Sequence, residues 1–370
     1  MKTIPTAEQR EFASALRALL AAENPVDLVR ALDEPGADRG TPALWKALTD
    51  AGVFGLAIAE EYGGAGGSLG DLAVFSTEAG RALCPTTVHS SILAALAIDQ
   101  LGSPDDKARW LPPMASGSVR ATTALHNARD AAVITPALRA DLDRGHWRLD
   151  GTVDYVLDAD IADLIVVSAA ADGRALAFVV DIRDLRIEPL AMAGGSRAFT
   201  VRFDNVDAAA ALDGVTAPAL RRLANTAVAL GSLDLVGVGE AVLDRTVAYT
   251  KLRHQFGRPI ASFQAAQHLV ANMHIGLAAA RLAAHAAVFW LGRGRVASRE
   301  TAIARMHAAT AARLITLDAH QLHGGMGYVT ETELHLWSER ARFGSTFGGG
   351  ADVAAGWLEQ SMHDDEQERP

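Results

Sequence analysis

The feature that most restricts how this chain can fold is a change of hydrophobic period, made twice. From Thr6 to about residue 120 the apolar residues recur at helical spacing. In TAEQREFASALRALLAAE, Phe12, Leu16, Leu19 and Leu20 share one face, and Thr6 with Gln9 forms a capping box. TPALWKALTDAG follows, with Pro42 near its start and Gly52 at its end. Between about 121 and 215 the texture switches to HWRLDGTVDYVL, DLIVVSAA, ALAFVVDI, LRIEPLAM and AFTVRFDNV. These are short runs rich in β-branched and aromatic residues, separated by Asp/Gly turns, as in a small antiparallel sheet. From Ala217 the helical period returns, near 217–252, 261–291 and 298–322 and again after Gly350, with abundant alanine that lets helices pack closely. At 370 residues the chain exceeds one ordinary core. The expected class is α+β in three parts: a helical domain over 1–120, an antiparallel β domain over 121–215 and a helical bundle over 216–370.

Composition removes several functions. The formal net charge of −10 argues against a nucleic-acid surface. A single cysteine, Cys84, excludes an intrachain disulfide and a thiolate metal cluster, and the twelve histidines show no metal-ligand spacing, so no metal is expected. The opening MKTIPTAEQREF lacks an apolar core, and GLAAARLAAHAAVFWLG, Gly276 to Gly292, is interrupted by Arg281 and His285. The expectation is a cytoplasmic protein with no membrane and no nucleic acid as partner. EEYGGAGGSLG has Leu69 where a dinucleotide fingerprint requires its third glycine, so it reads as a tight loop. Trp337 and Trp357 read as core residues, and the tail HDDEQERP as a frayed, solvated end.

Two segments carry more than packing needs. In KLRHQFGRPIASFQAAQ, Arg253 precedes a break made by Gly257 and Pro259, and a new helix is expected near Ser262 with Gln264 and Gln267 in its first turns. A guanidinium beside fresh helix N-terminal amides suits a diphosphate, although a solvated corner would read the same way. In QLHGGMGYVTE, Gln321 to Glu331, the glycines either stop a helix or let backbone approach a flat ligand.

Taken together, RHQFGRPIASFQAAQHLVANM and the later QLHGGMGY resemble the acyl-CoA dehydrogenase family, as do LWKALTDAGVFGLAIAEEYGGAGGSLGDLAVFSTEAGRAL and DDKARWLPPMASG upstream. The resemblance covers nearly the whole chain and implies that family's architecture: an N-terminal helical domain, a middle β domain and a C-terminal four-helix bundle. It further implies FAD, with Arg253, Phe256 and Gln264 contacting its ADP half. Gln321, Gly324 and Gly325 would close over the pyrophosphate, seen from a neighbouring subunit. Backbone amides and a cation offered to a dianion agree with that role.

The chain departs from the family pattern at three places. The glutamate that removes the α-proton of an acyl-CoA corresponds to Gly348, and the alternative position used by a minority of the family corresponds to Ala227. Neither residue can move a proton. The family's flavin-ring contacts correspond to LHNA, Leu125 to Ala128, and YVLD, Tyr155 to Asp158. This pattern resembles the base-lacking chain of heterotetrameric actinobacterial members, in which a second acyl-CoA dehydrogenase-like chain supplies the base and the thioester carries a bulky acyl group. The resemblance thus implies α,β-dehydrogenation of an acyl-CoA in such a complex. The alternatives are a self-sufficient homo-oligomeric flavoenzyme, on a homodimer core and with another base or oxygenase chemistry, and a non-catalytic scaffold. Asp234, Glu240 and His126 are candidates for another base that the sequence alone does not assign.

Overall fold

The computed structural model describes residues 5–367 apart from 33, 35 and 193–196. Six helices come first: α1 (Ala7–Glu23), α2 (Val26–Ala31), α3 (Pro42–Asp50), α4 (Leu69–Arg81), α5 (Thr86–Leu101) and α6 (Pro104–Ala115). The capping box at Thr6 and Gln9 is present in both directions, and Ser103 with Asp106 repeats it on α6. Leu16 and Leu20 of α1 enter a core with Leu44 and Leu48 of α3 and Leu72 and Phe75 of α4.

The strands are β1 (Ala121–Ala124), β2 (Leu138–Asp143), β3 (His146–Leu157), β4 (Leu164–Ala171), β5 (Arg174–Asp181), β6 (Arg186–Pro189), β7 (Ala198–Asp207) and β8 (Ala210–Leu212). They form one sheet in the order β6-β7-β3-β2-β4-β5-β8, with β1 on the side of β4. The antiparallel expectation needs one correction: β1 and β2 both run parallel to β4, so the sheet is mixed. β1 arrives from α6 and the β2–β3 hairpin intervenes before β4, which brings these strands in from the same end. Alternation holds where one face is buried, as in β2, where Leu138 and Ala140 point inward and Arg139 and Asp141 outward.

The remainder is α7 (Ala217–Leu252), a hairpin of β9 (His254–Gln255) and β10 (Arg258–Pro259), then α8 (Gln264–Leu291), α9 (Ser298–His323), α10 (Leu334–Gly344) and α11 (Ala351–Gln367). The helix expected from Ser262 begins two residues later, after a short 3₁₀ turn over Ile260–Ser262. The tail expected to fray is helical as far as Gln367, and residues 368–370 lie outside the described set. Trp337 and Trp357 are buried, as their spacing indicated. By length and apolar content alone α7 and α8 could each cross a membrane, but α7 is the central helix of the bundle and 83% of its apolar window is buried.

α4 and α7 cross at unusually close range. A Cβ on Gly80 would lie 2.0 Å from the Asp234 carbonyl oxygen, and one on Gly237 would lie 1.9 Å from that of Thr77. Only glycine permits this approach. It draws α7 against the N-terminal helices and fixes where Asp234 points.

Candidate active site

A cavity of about 150 Å³ lies where α4, α5, β1, β3, α7 and α10 meet. α7 lines it with Ala227, Leu230, Gly231 and Asp234, one helical face spaced by three or four residues. A Cβ on Gly231 would touch nothing within 4 Å, so the helix is thin here and its backbone forms the wall. Gly348 reaches the same cavity from the loop after α10. The two positions matched to the family's base therefore open on one space, and neither carries an ionisable group.

That loop is tightly held. The Gly348 amide donates to the Ala128 carbonyl at 2.6 Å, and the Ala131 amide donates to the Gly348 carbonyl at 3.0 Å. Arg305, 2% exposed, donates from Nε to the Gly349 carbonyl and from Nη2 to the Phe347 carbonyl, both at 2.6 Å. Burial lowers its pKa to about 10, which still leaves it charged at neutral pH. Gly348 has φ +78°, a left-handed conformation that disfavours any residue with a Cβ.

The cavity also contains a charged cluster. Arg340 on α10 holds Asp234 with two hydrogen bonds, Nε to Oδ2 at 3.0 Å and Nη2 to Oδ1 at 2.8 Å. Burial pushes the Asp234 carboxyl up, but the charge of Arg340, its hydrogen bond and His89 together outweigh that and leave it below the usual carboxylate range. His89 on α5 stands with Nε2 3.9 Å from Asp234 Oδ1, and neither ring nitrogen is solvent-exposed or hydrogen-bonded. Burial, opposed by Asp234 and reinforced by Arg340, takes its pKa down to about 4, so the ring is neutral at pH 7. Arg340 also lines a second cavity, with Arg39, Cys84 and Asp158. Asp158 accepts from Arg39 at 3.0 Å and from Thr86 and Ser90, each at 2.9 Å, and burial raises its pKa.

On the β side the cavity continues past His126 and Tyr155. Tyr155 sits at an irregularity of the β3–β7 ladder with φ +61°, and its hydroxyl accepts from Arg129 Nη2 at 2.8 Å. Burial, with the Arg221 charge, lowers the His126 pKa to about 4, which argues against it as a base. Glu240 is engaged by Arg81 and Arg281 and is not among the residues lining the cavity.

The residues matched to cofactor binding lie elsewhere. Arg253 caps the C-terminus of α7, and the β9–β10 turn projects Phe256, 94% exposed and at φ +54°. Gln264 opens α8, whose first amides have no side-chain cap. Gln321 lies in the last turn of α9, and a Cβ on Gly324 or Gly325 would meet nothing within 4 Å. Tyr249 stacks on His323 at 4.2 Å, which ties the end of α7 to the end of α9 and brings both motifs to one end of the bundle. All six residues are exposed. An open guanidinium, three unhindered amide-bearing positions and a bare aromatic face fit the ADP part of FAD in donor chemistry. They are remote from the cavity. Twenty-six residues of α7 separate Ala227 from Arg253, about 39 Å at the helical rise.

Sequence reasoning named Asp234 as a candidate base but missed its pairing with Arg340 and its place beside His89, because these residues are far apart in the chain. The available signal was a single carboxylate inside the otherwise apolar VALGSLDLVGVG of α7.

Comparison with known proteins identifies the family. The description "Acyl-CoA dehydrogenase, N-terminal domain" matches residues 6–118, and "Acyl-CoA dehydrogenase, C-terminal domain" matches residues 216–363. The acyl-CoA dehydrogenase IpdE2 of Mycobacterium tuberculosis is 31% identical over 344 residues, covering 91% of this chain and 92% of that protein. A chain of the Tcur3481–Tcur3483 steroid ACAD superposes with a TM-score of 0.89 at 28% identity, over 98% of this chain and 99% of that one. A chain of the ChsE4–ChsE5 complex from Mycobacterium tuberculosis does so with a TM-score of 0.88 at 26% identity, over the full length of both. The chain belongs to the acyl-CoA dehydrogenase family and is an oxidoreductase of that type.

Proposed function

We propose that this chain is the base-lacking, ADP-contacting subunit of a two-chain, FAD-dependent acyl-CoA dehydrogenase. The observation that carries the reading is the cavity itself: Ala227 and Gly348 both line it, and neither can accept a proton. When bound, FAD would supply the hydride acceptor for α,β-dehydrogenation of a thioester. Arg253 would neutralise the diphosphate, the amides of Gln264, Gln321, Gly324 and Gly325 would hold it, and Phe256 would cover the adenine. The length of α7 supports a shared site, because a cofactor held at Arg253 lies far from this chain's own cavity. An unpartnered apolar face supports assembly: Ile275 and Leu282 on α8 and Leu314 and Leu317 on α9 are exposed. Similarity to chains of the Tcur3481–Tcur3483 steroid ACAD and of the ChsE4–ChsE5 complex supports a second, unlike chain and a bulky, steroid-like acyl group. The place of action would be the cytoplasm.

The test is the flavin content and native mass of the chain purified alone and after co-expression with a neighbouring dehydrogenase-like chain. The expected result is a nearly flavin-free chain alone and stoichiometric FAD with acyl-CoA oxidation in a mixed oligomer. One FAD per chain with turnover in a homo-oligomer would overturn the reading.

A further inference from the structure

The corner after Arg253 contains a strained residue that does nothing for the fold. β9 and β10 are joined by two residues, Phe256 and Gly257, and both take positive φ, +54° and +80°. A two-residue turn of this geometry favours Asn-Gly, and a bulky aromatic at its first position is a backbone outlier. Phe256 gains no burial in exchange, since 94% of it is exposed. Its ring is nevertheless held. Phe263 meets it at an angle of 85° between planes, with centroids 6.2 Å apart. Phe263 is itself packed with Ile260 against the core of the bundle. The Arg258 guanidinium lies over the Phe263 ring, its Cζ 4.1 Å from the centroid.

We infer that Phe263 and Arg258 are positioning residues, which brace the exposed Phe256 ring for stacking on the adenine of ADP and act only through that ring. The inference rests on the proposal that this corner takes the ADP half of FAD. Three observations support it. A strained backbone that the fold does not need marks a place where a ligand needs it. The perpendicular contact fixes Phe256 from one side yet leaves it almost wholly exposed, so a flat ligand can still cover it. Arg258 pairs with Gln255 across the hairpin, so the same turn that presents Phe256 also sets the guanidinium on Phe263. A ring braced in advance loses less freedom on binding, and this is how side chains that never touch the adenine raise its affinity.

Isothermal titration calorimetry with ADP and with inorganic pyrophosphate separates the adenine from the phosphates, on the full-length chain alone and in the co-expressed complex stripped of flavin. Phe263→Leu should weaken ADP about threefold or more and leave pyrophosphate within about twofold. Phe263→Tyr keeps the ring and should bind ADP as the wild type does. Phe256→Leu should itself weaken ADP about fivefold or more, by loss of the stacking surface. In that background Phe263→Leu should add less than about twofold, because the ring through which it acts is gone. Unchanged ADP affinity in Phe263→Leu, an equal loss of pyrophosphate, or losses that add in the double variant would overturn the assignment while leaving the corner an ADP site. Binding of neither probe by the wild type in either form would overturn the ADP reading, and the assignment with it. Phe256 and Arg258 are exposed, so Arg258→Met with and without Phe256→Leu applies the same cycle where Phe263→Leu does not fold.

Discussion

His89 shows how much one side chain can reveal about its surroundings. It faces Asp234, Arg340 and Phe75, and its neutral form is the one the fold accepts. The unfolded chain takes up a proton near pH 6.5, whereas the folded chain resists it until about pH 4. The unfolded state therefore binds more protons throughout that window, and stability falls as the pH is lowered through it. His126 adds to the loss in the same direction. Asp234 contributes further down: its folded pKa is depressed, so its share is present above the normal carboxylate pKa and disappears only under stronger acid. Urea denaturation at pH 7.5 and pH 5 should show the wild type losing about 2 kcal/mol through His89 alone, and His89→Gln should lose correspondingly less. None of this could be read from the sequence, where His89 is one histidine of twelve and nothing marks which are buried.

Elements are joined here by small residues, and two glycines of α7 separate the possibilities. Gly237 meets the Thr77 carbonyl at a distance no Cβ tolerates, whereas Gly231 opens on empty space. Gly237→Ala should destabilise the protein by about 1–3 kcal/mol through overpacking of α4 against α7. Gly231→Ala should stabilise it by about 0.5–1 kcal/mol, because alanine is the better helix former and nothing obstructs it. Thermal melts of the two variants measure both effects. The periodicity that located α7 treats these glycines alike, since both sit within one apolar run. Helix extents and strand runs were legible because each follows from local spacing. The parallel pairing of β1 and β2 with β4 was not, because it depends on which end of the sheet a strand enters. The starting point of α8 was nearly legible, displaced only by the 3₁₀ turn that Pro259 introduces.

At the scale of the molecule, α7 connects two distinct places, the cavity lined by Ala227 and the exposed corner at Arg253. The corner at Arg253 and Phe256 was visible in the sequence because it interrupts a helical pattern with Gly257 and Pro259. Because α7 is unbroken, as its period indicated, that corner stands about 39 Å from Ala227. Arg253→Ala should leave the melting temperature of the isolated chain within about 1 °C, since the residue is exposed at a helix end. In the assembled enzyme it should weaken FAD retention about tenfold or more, measured as flavin lost on gel filtration. Loss of retention with an intact fold assigns the residue to the cofactor; no change in retention removes it from the site. The conformation of Gly348 also bears on descent. Glycine and glutamate codons can differ by one base, so a mutation placing a carboxylate at position 348 is readily available, yet the left-handed backbone there would select against it. Alanine and glutamate codons are equally close, and position 227 is ordinary helix. A glutamate is therefore accommodated with less backbone strain at position 227 of α7 than at the left-handed turn of Gly348.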